Sequence, residues 1–286
     1  MDLSYVTRYY RLLDNAKAPN TVKNYVLHIS KWVRYMRAQG LDWQDVTSDD
    51  VGGFIECLLN KGLMRKSINT IVGAVRGLFD WLISEQILAV NPVLMSYRMA
   101  CERNEVKPLT TDEQRLVMCE IAMYRDNVRM AFLAMFATGL RVSEICALLP
   151  DDIAVKDDRM TVTVRVGKWG SSRTVPVYDG IVAEQLARYM ADIDDRSKPL
   201  FRLSARTLQV YAAEISQRAG VHFTCHKVRH TFACNLLADG VSMEVIQTAL
   251  GHTSLNMTRW YTHTPPDIVV CAPTMGVAGV LKVFDV

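Results

Sequence analysis

Only one stretch of this chain alternates clearly between apolar and polar residues. It is Met160–Val166, with Val162, Val164 and Val166 on one face. Thr174–Val177 pairs naturally with it across the turn GKWGSS, as an antiparallel hairpin. In the rest of the main body apolar residues recur every three or four positions, the period of a helix buried on one face. The pattern therefore predicts a mainly α fold with a small antiparallel sheet. No glycine-rich loop of the P-loop or Rossmann type occurs, so nucleotide hydrolysis and hydride transfer find no support.

The N-terminal part reads as four helices. Residues 3–13 have apolar positions at helical spacing. Residues 21–38 follow between Pro19-Asn20 and Gly40, with Val22, Tyr25, Val26, Ile29, Trp32, Val33 and Met36 on one stripe. A third helix starts after a cap at Thr47 or Ser48, with Asp49 and Asp50 in its first turn and Val51, Phe54, Ile55 and Leu58 inward. A fourth, over residues 66–84, buries Ile68, Ile71, Val72, Val75, Leu78, Phe79 and Leu82, and Asn91-Pro92 closes the segment. Residues 1–98 are thus expected to form a small helical domain. The polar face of its last helix carries Arg65, Lys66, Asn69 and Arg76, which is either a solvated face or a row of phosphate contacts.

Residues 99–109, MACERNEVKPL, are charged, poorly periodic and end beside a proline, as a linker would. A second domain, residues 110–266, opens on Thr110-Thr111-Asp112-Glu113, a capping box for a helix to about residue 124. Residues 127–138 are apolar throughout and read as a buried helix broken by Gly139. A short helix over 143–149 stops at Pro150. After the hairpin, residues 180–193 and 205–219 read as helices. Thr224 caps one through His226–Leu237 ended by Gly240, and Ser242 caps one through Leu250 ended by Gly251.

A net charge of +3 is too small to imply a nucleic-acid partner by itself, so local placement of Arg and Lys has to carry that inference. Seven cysteines without paired spacing fit reduced thiols rather than a disulfide framework. The N-terminus is too polar for a signal peptide, and no run of about 18 apolar residues is present to span a membrane. A cytoplasmic protein with no membrane partner is expected.

Several residues carry potential chemistry, and each has a plain structural reading when taken singly. Arg141, in TGLRVSE, lies beside Glu144 and could make a surface ion pair. Lys168 sits in a hairpin turn, where lysine is common. His226 and Arg229 share one helical face. His252, after Leu250-Gly251, could cap a helix, and Tyr261 beside Trp260 could be a core tyrosine. His226 and His230, with Cys225 and Cys234 nearby, raise a zinc reading, but neither CxxC paired with HxxxH nor a Glu after the first His occurs.

Taken together, these positions resemble the tyrosine recombinases. HxxR on a helix (His226, Arg229), Leu250-Gly251-His252, and Tyr261 nine residues beyond that histidine match the family's motifs in order. TGLRVSE resembles its first arginine motif, and GKWGSSRTVPV its hairpin, with Lys168 at the catalytic lysine. Trp169 follows that lysine where Xer-like chains often carry a small residue. NTVKNYVLHISKWVRYM and KSINTIVGAVRGLFDWLISEQILAVNP look like the core-binding, SAM-like domain of Xer-type recombinases and phage integrases. The resemblance covers about 265 of the 286 residues.

The resemblance implies a helical core-binding domain plus a catalytic domain forming a C-shaped DNA clamp. It implies site-specific cutting and rejoining of DNA through a 3′-phosphotyrosine, with strand exchange by way of a Holliday junction and no metal or other cofactor. It assigns catalysis to Arg141, Lys168, His226, Arg229, His252 and Tyr261, with Glu144, His230 and Trp260 as supporting candidates. Arg65, Lys66, Asn69, Arg76 and Arg173 become candidate DNA contacts. The expected partners are double-stranded DNA with short inverted-repeat core sites, a homotetramer on synapsed DNA, and possible accessory protein. No arm-binding domain like that of lambda-type integrases is read here, so core sites alone are expected to be bound. The tail, residues 267–286, has apolar runs at Ile268–Cys271 and Val280–Val283 and is expected to dock on a neighbouring subunit. A type IB topoisomerase, with similar chemistry, and a non-catalytic DNA-binding regulator remain the alternatives.

Overall fold

Turn chemistry and apolar periodicity account for most of the elements in the computed structural model, which describes residues 1–101, 107–156, 159–165 and 172–251. The chain divides into two compact units, Met1–Arg103 and Asn104–Val286. The first holds α1 (Ser4–Ala16), α2 (Pro19–Gln39), α3 (Ser48–Asn60) and α4 (Arg65–Ser84). Pro19 takes the first helical position of α2, where its missing N–H costs nothing, so the helix begins two residues before the expected start at residue 21. Gly40 closes it in the left-handed region, at φ 68°. At α3 the Thr47 hydroxyl accepts from the Asp50 amide, and the Asp50 carboxylate accepts from the Thr47 amide at 2.8 Å.

The inward stripes of α2, α3 and α4 meet around Trp32, which is fully buried. Its ring stands edge-on to Phe54 at 5.0 Å and to Phe79 at 5.9 Å. Such pairs add roughly 1 kcal/mol each beyond the area they bury. Trp43 also enters this core from the connection between α2 and α3. Its indole N–H donates to the Asp2 carbonyl at 2.7 Å and straps the N-terminus down.

The second unit runs α5 (Thr111–Ala122), α6 (Asp126–Thr138), α7 (Val142–Ala147), β1 (Ile153–Lys156), β2 (Arg159–Val164), β3 (Arg173–Pro176), α8 (Gly180–Ala191), α9 (Ala205–Ala219), α10 (Cys225–Ala238) and α11 (Met243–Leu250). α6 is buried on all sides, as its sequence requires, and α5, α7, α8 and α10 pack around it. A separate small core of Phe232, Leu236, Ile246 and Leu250 fixes α11 on α10. The Leu109 amide donates to the buried Thr231 hydroxyl at 2.9 Å, anchoring the start of this unit to α10.

The sheet has three strands in the order β1-β2-β3, one more than the alternation predicts. β1 pairs antiparallel with β2, Ile153 opposite Val162, and β3 puts Val175 opposite the same residue. Four residues following a turn are too few to show a period, so only the partner strand defines β1. Val162 and Val164 face the core as expected; Val166 lies outside the described residues. Among the described residues no helix is long and apolar enough to cross a membrane.

Candidate active site

Three separate turns bring the charged side chains together. At the end of α6, Gly139 adopts φ 63°, and a Cβ there would lie 2.2 Å from the Phe232 ring. Glycine is required both for the left-handed turn and for that close approach. The chain then enters α7 at Arg141. The Arg141 amide donates to Glu144 Oε2 at 2.9 Å, and its Nη1 donates to Glu144 Oε1 at 2.9 Å. The Arg141–Glu144 pair, which on the plain reading would lie at the surface, is largely internal: the Glu144 side chain is 6% exposed, that of Arg141 26%.

α10 starts at Thr224, whose hydroxyl accepts from the Lys227 amide at 3.1 Å. This sets His226 in the first turn and Arg229 one turn later. Arg229 is 3% exposed, donates from Nη1 to the Gly139 carbonyl at 2.8 Å, and donates from Nη2 to the Leu250 carbonyl.

α11 ends at Gly251, φ 60°. The last carbonyls of a helix have no partner within it and sit at the negative end of its dipole. Here three successive carbonyls receive three arginines. Arg173 Nε donates to Ala249 at 2.9 Å, Arg229 to Leu250, and Arg141 Nη2 to Gly251 at 3.4 Å. Arg173 also donates from Nη1 and Nη2 to the two Glu144 oxygens, at 3.0 and 2.8 Å. Among the described residues Arg141 and Arg173 thus share the Glu144 carboxylate, two guanidiniums to one carboxylate, beside the residue that precedes His252. An arrangement of this kind binds an anion.

Burial raises the Glu144 carboxyl, but the Arg173 hydrogen bonds, the Arg141 amide and the two guanidinium charges outweigh it, so its pKa lies below the usual value. The His226 ring reaches solvent, yet neighbouring atoms strip enough water to lower its pKa, and the charges of Arg229 and Arg141 lower it further. It is neutral at pH 7 and able to accept a proton. His230 stacks edge-on to it, with centroids 4.3 Å apart. Desolvation first, then His226 and Arg229, push His230 down to about 4.

Arg141, His226 and Arg229 are therefore assembled around the ends of α6 and α11. Lys168, His252, Trp260, Tyr261 and residues 267–286 lie outside the described residues. Of the residues expected at DNA, Arg65 and Lys66 are exposed at the start of α4. The others use their side chains internally. Asn69 donates to the Met99 carbonyl at 2.8 Å and accepts from the Met99 amide at 3.0 Å. Arg76 donates to the Val93 carbonyl at 2.9 Å. Arg173 has a side chain only 10% exposed. Periodicity could not identify these roles, because each partner lies far away in sequence. The paired glycines of TGLR and LGH were the available signal for the close approaches. Among the described residues no group of three His, Cys, Asp or Glu side chains is placed to hold a metal ion.

The sequence matches the phage integrase family over residues 108–266 and the phage integrase N-terminal SAM-like domain over residues 6–86. It is 31% identical over 257 residues to the tyrosine recombinase XerA of Pyrococcus furiosus, covering 86% of this chain and 84% of that protein. It is 29% identical over 271 residues to XerC of Bacillus pumilus, covering 86% and 87%. Among solved structures, lambda integrase bound to DNA superposes with a TM-score of 0.74 at 22% identity, over 96% of this chain and 99% of that one. XerH bound to its difH substrate gives 0.70 at 20% identity, over 93% and 83%. Those two likenesses establish the shared fold.

Proposed function

This chain belongs to the phage integrase family, and on that premise we propose that it is a site-specific tyrosine recombinase, cutting and rejoining DNA through a covalent 3′-phosphotyrosine. The observation that carries this reading is the convergence of TGLR, HxxR and LGH on the carboxyl end of α11. Motifs far apart in sequence put Arg141 and Arg229 against consecutive carbonyls, with neutral His226 on the same helix as Arg229.

The chemistry follows from the residue types. Attack on a phosphodiester builds negative charge on the nonbridging oxygens. Arg141 and Arg229, with His252, stabilise that charge in place, so little reorganisation is needed as the reaction proceeds. The Tyr261 hydroxyl, ordinarily with a pKa of about 10, gives its proton to His226 and forms the new P–O bond. The bond from phosphorus to the 5′ oxygen breaks, and Lys168 protonates that oxygen. The ester energy stays in the protein–DNA bond. A 5′ hydroxyl from a second duplex reverses the step, and two such exchanges pass through a Holliday junction. No metal or nucleotide is called for.

Both the N-terminal unit and the catalytic unit contact the core site. Short inverted repeats, a tetramer on synapsed DNA with the tail docked in trans, an accessory protein that selects direction, and a cytoplasmic setting complete the proposal. Support for the tetramer is that lambda integrase, a protein of the same fold, has been solved as a tetramer on a Holliday junction. The proposal includes a mobile-element role, in support of which a transposon integrase of this fold, from Tn1549, has been solved in complex with circular intermediate DNA.

Covalent protein–DNA adducts captured under denaturing conditions, with the attached DNA sequenced, test the reading. Adducts at one short inverted repeat, abolished by Tyr261→Phe, are expected. Adducts that persist in Tyr261→Phe would sink it, and adducts scattered over all sequences would turn it towards a relaxing topoisomerase.

A further inference from the structure

Arg173 opens β3 and was expected to touch DNA, yet its guanidinium is turned inward. Its bidentate grip on Glu144 and its Nε bond to the Ala249 carbonyl occupy all three nitrogens. A Cβ on Gly251 would come within 3.0 Å of its Nε and Cζ, so the planar group lies flat against the end of α11. β3 is in this way tied to α7 and α11 at once.

We propose that Arg173 is a positioning residue for Arg141. It acts through Glu144 and the last turn of α11, and rests on the reading of Arg141 as a phosphate ligand. Two physical effects combine. Geometrically, Glu144 accepts from the Arg141 amide and side chain on one side and from Arg173 on the other. The carboxylate, and through it the Arg141 guanidinium, is held from both directions. The Gly251 carbonyl that receives Arg141 belongs to the turn that Arg173 braces. Electrostatically, a lone Arg141–Glu144 pair is neutral. With Arg173 sharing the carboxylate, Arg141 retains charge for an incoming phosphate. Lysine at 173 would supply charge without the fork that spans both oxygens.

Arg173→Gln and Arg173→Lys test this on a duplex carrying the site recovered from the adducts, made with either a phosphate or a neutral methylphosphonate at the attacked position. Cleavage of the phosphate should fall about 100-fold in Arg173→Gln, the scale of a misplaced catalytic group, and less in Arg173→Lys. Cleavage of the methylphosphonate, which is neutral before attack and whose pentacoordinate state carries one negative charge fewer, should fall by less than about threefold. Equal losses on both substrates would mean general destabilisation and overturn the proposal. So would unchanged cleavage with weaker binding and a salt slope reduced by about one, the mark of a direct phosphate contact. Without DNA, amide exchange over residues 247–251 should rise about tenfold in Arg173→Gln while that of α6 stays unchanged; no rise there also overturns it. Arg141→Ala is the control: if it cleaves normally, the reading of Arg141 fails, whatever Arg173 does.

Discussion

The two units use the same bond, a guanidinium donating to a backbone carbonyl, to different ends. In the N-terminal unit, Arg76 reaches the Val93 carbonyl and Asn69 clasps the backbone at Met99. Each braces one stretch of connecting chain, and the charge of Arg76 is partly answered by Asp80, 3.8 Å away. In the C-terminal unit, three arginines converge on consecutive carbonyls of one helix end, and two of them share the Glu144 carboxylate. A lone brace stabilises packing. A cluster with surplus charge at the negative end of a helix also prepares a place for an anion. On the proposed reading, what separates a bracing arginine from a phosphate ligand is the arrangement of neighbours, not burial, since Arg229 is among the most buried polar residues described.

The comparison breaks first at Arg229. Replacing it with Ala should reduce cleavage about 1000-fold. It should also cost about 2–3 kcal/mol of stability in denaturant unfolding, because the Gly139 and Leu250 carbonyls lose their donor. Full stability in Arg229→Ala would mean that the carbonyls do not need it.

The second test is acid. His230 has its pKa pushed down to about 4 by desolvation and by His226 and Arg229. In the unfolded chain the pKa returns to about 6.5. Between those values the unfolded state binds the extra proton, so stability falls as pH drops from about 6.5 to about 4 and is fully present above that window. The loss should be on the order of 3 kcal/mol, read from unfolding curves across that range, and His230→Gln should flatten it. An unchanged pH slope in His230→Gln would show that the histidine titrates normally in the fold.

The smallest effect sharpens the contrast inside the N-terminal unit. Arg65→Ala and Lys66→Ala should each lower the salt slope of DNA binding by about one and weaken binding uniformly across sequences. Arg76→Met should leave that slope unchanged and lower stability by about 1 kcal/mol. A slope that drops for Arg76→Met and holds for the other two would reverse the assignment of braces and contacts.

The helices of both units, the box at Thr110 with Glu113, and the glycine stops at 40, 139 and 251 were legible in the amino-acid order, because periodicity and capping act within a few residues. The resemblance to the tyrosine recombinases also singled out Arg141, His226 and Arg229, whose motifs are local, and the structure brings these three near one another. β1 was not legible, since four residues acquire a strand's identity only from the partner that pairs with them. The inward turn of Arg173, the bracing by Asn69 and Arg76, and the sharing of Glu144 were not legible either. Their bonds join residues 17 to 110 positions apart. Sequence by itself therefore determined which residues bear charge and which helix ends carry them. Only tertiary structure decided which charges meet, because a hydrogen bond between distant residues leaves no period along the chain and exists only once packing has brought its partners within about 3 Å.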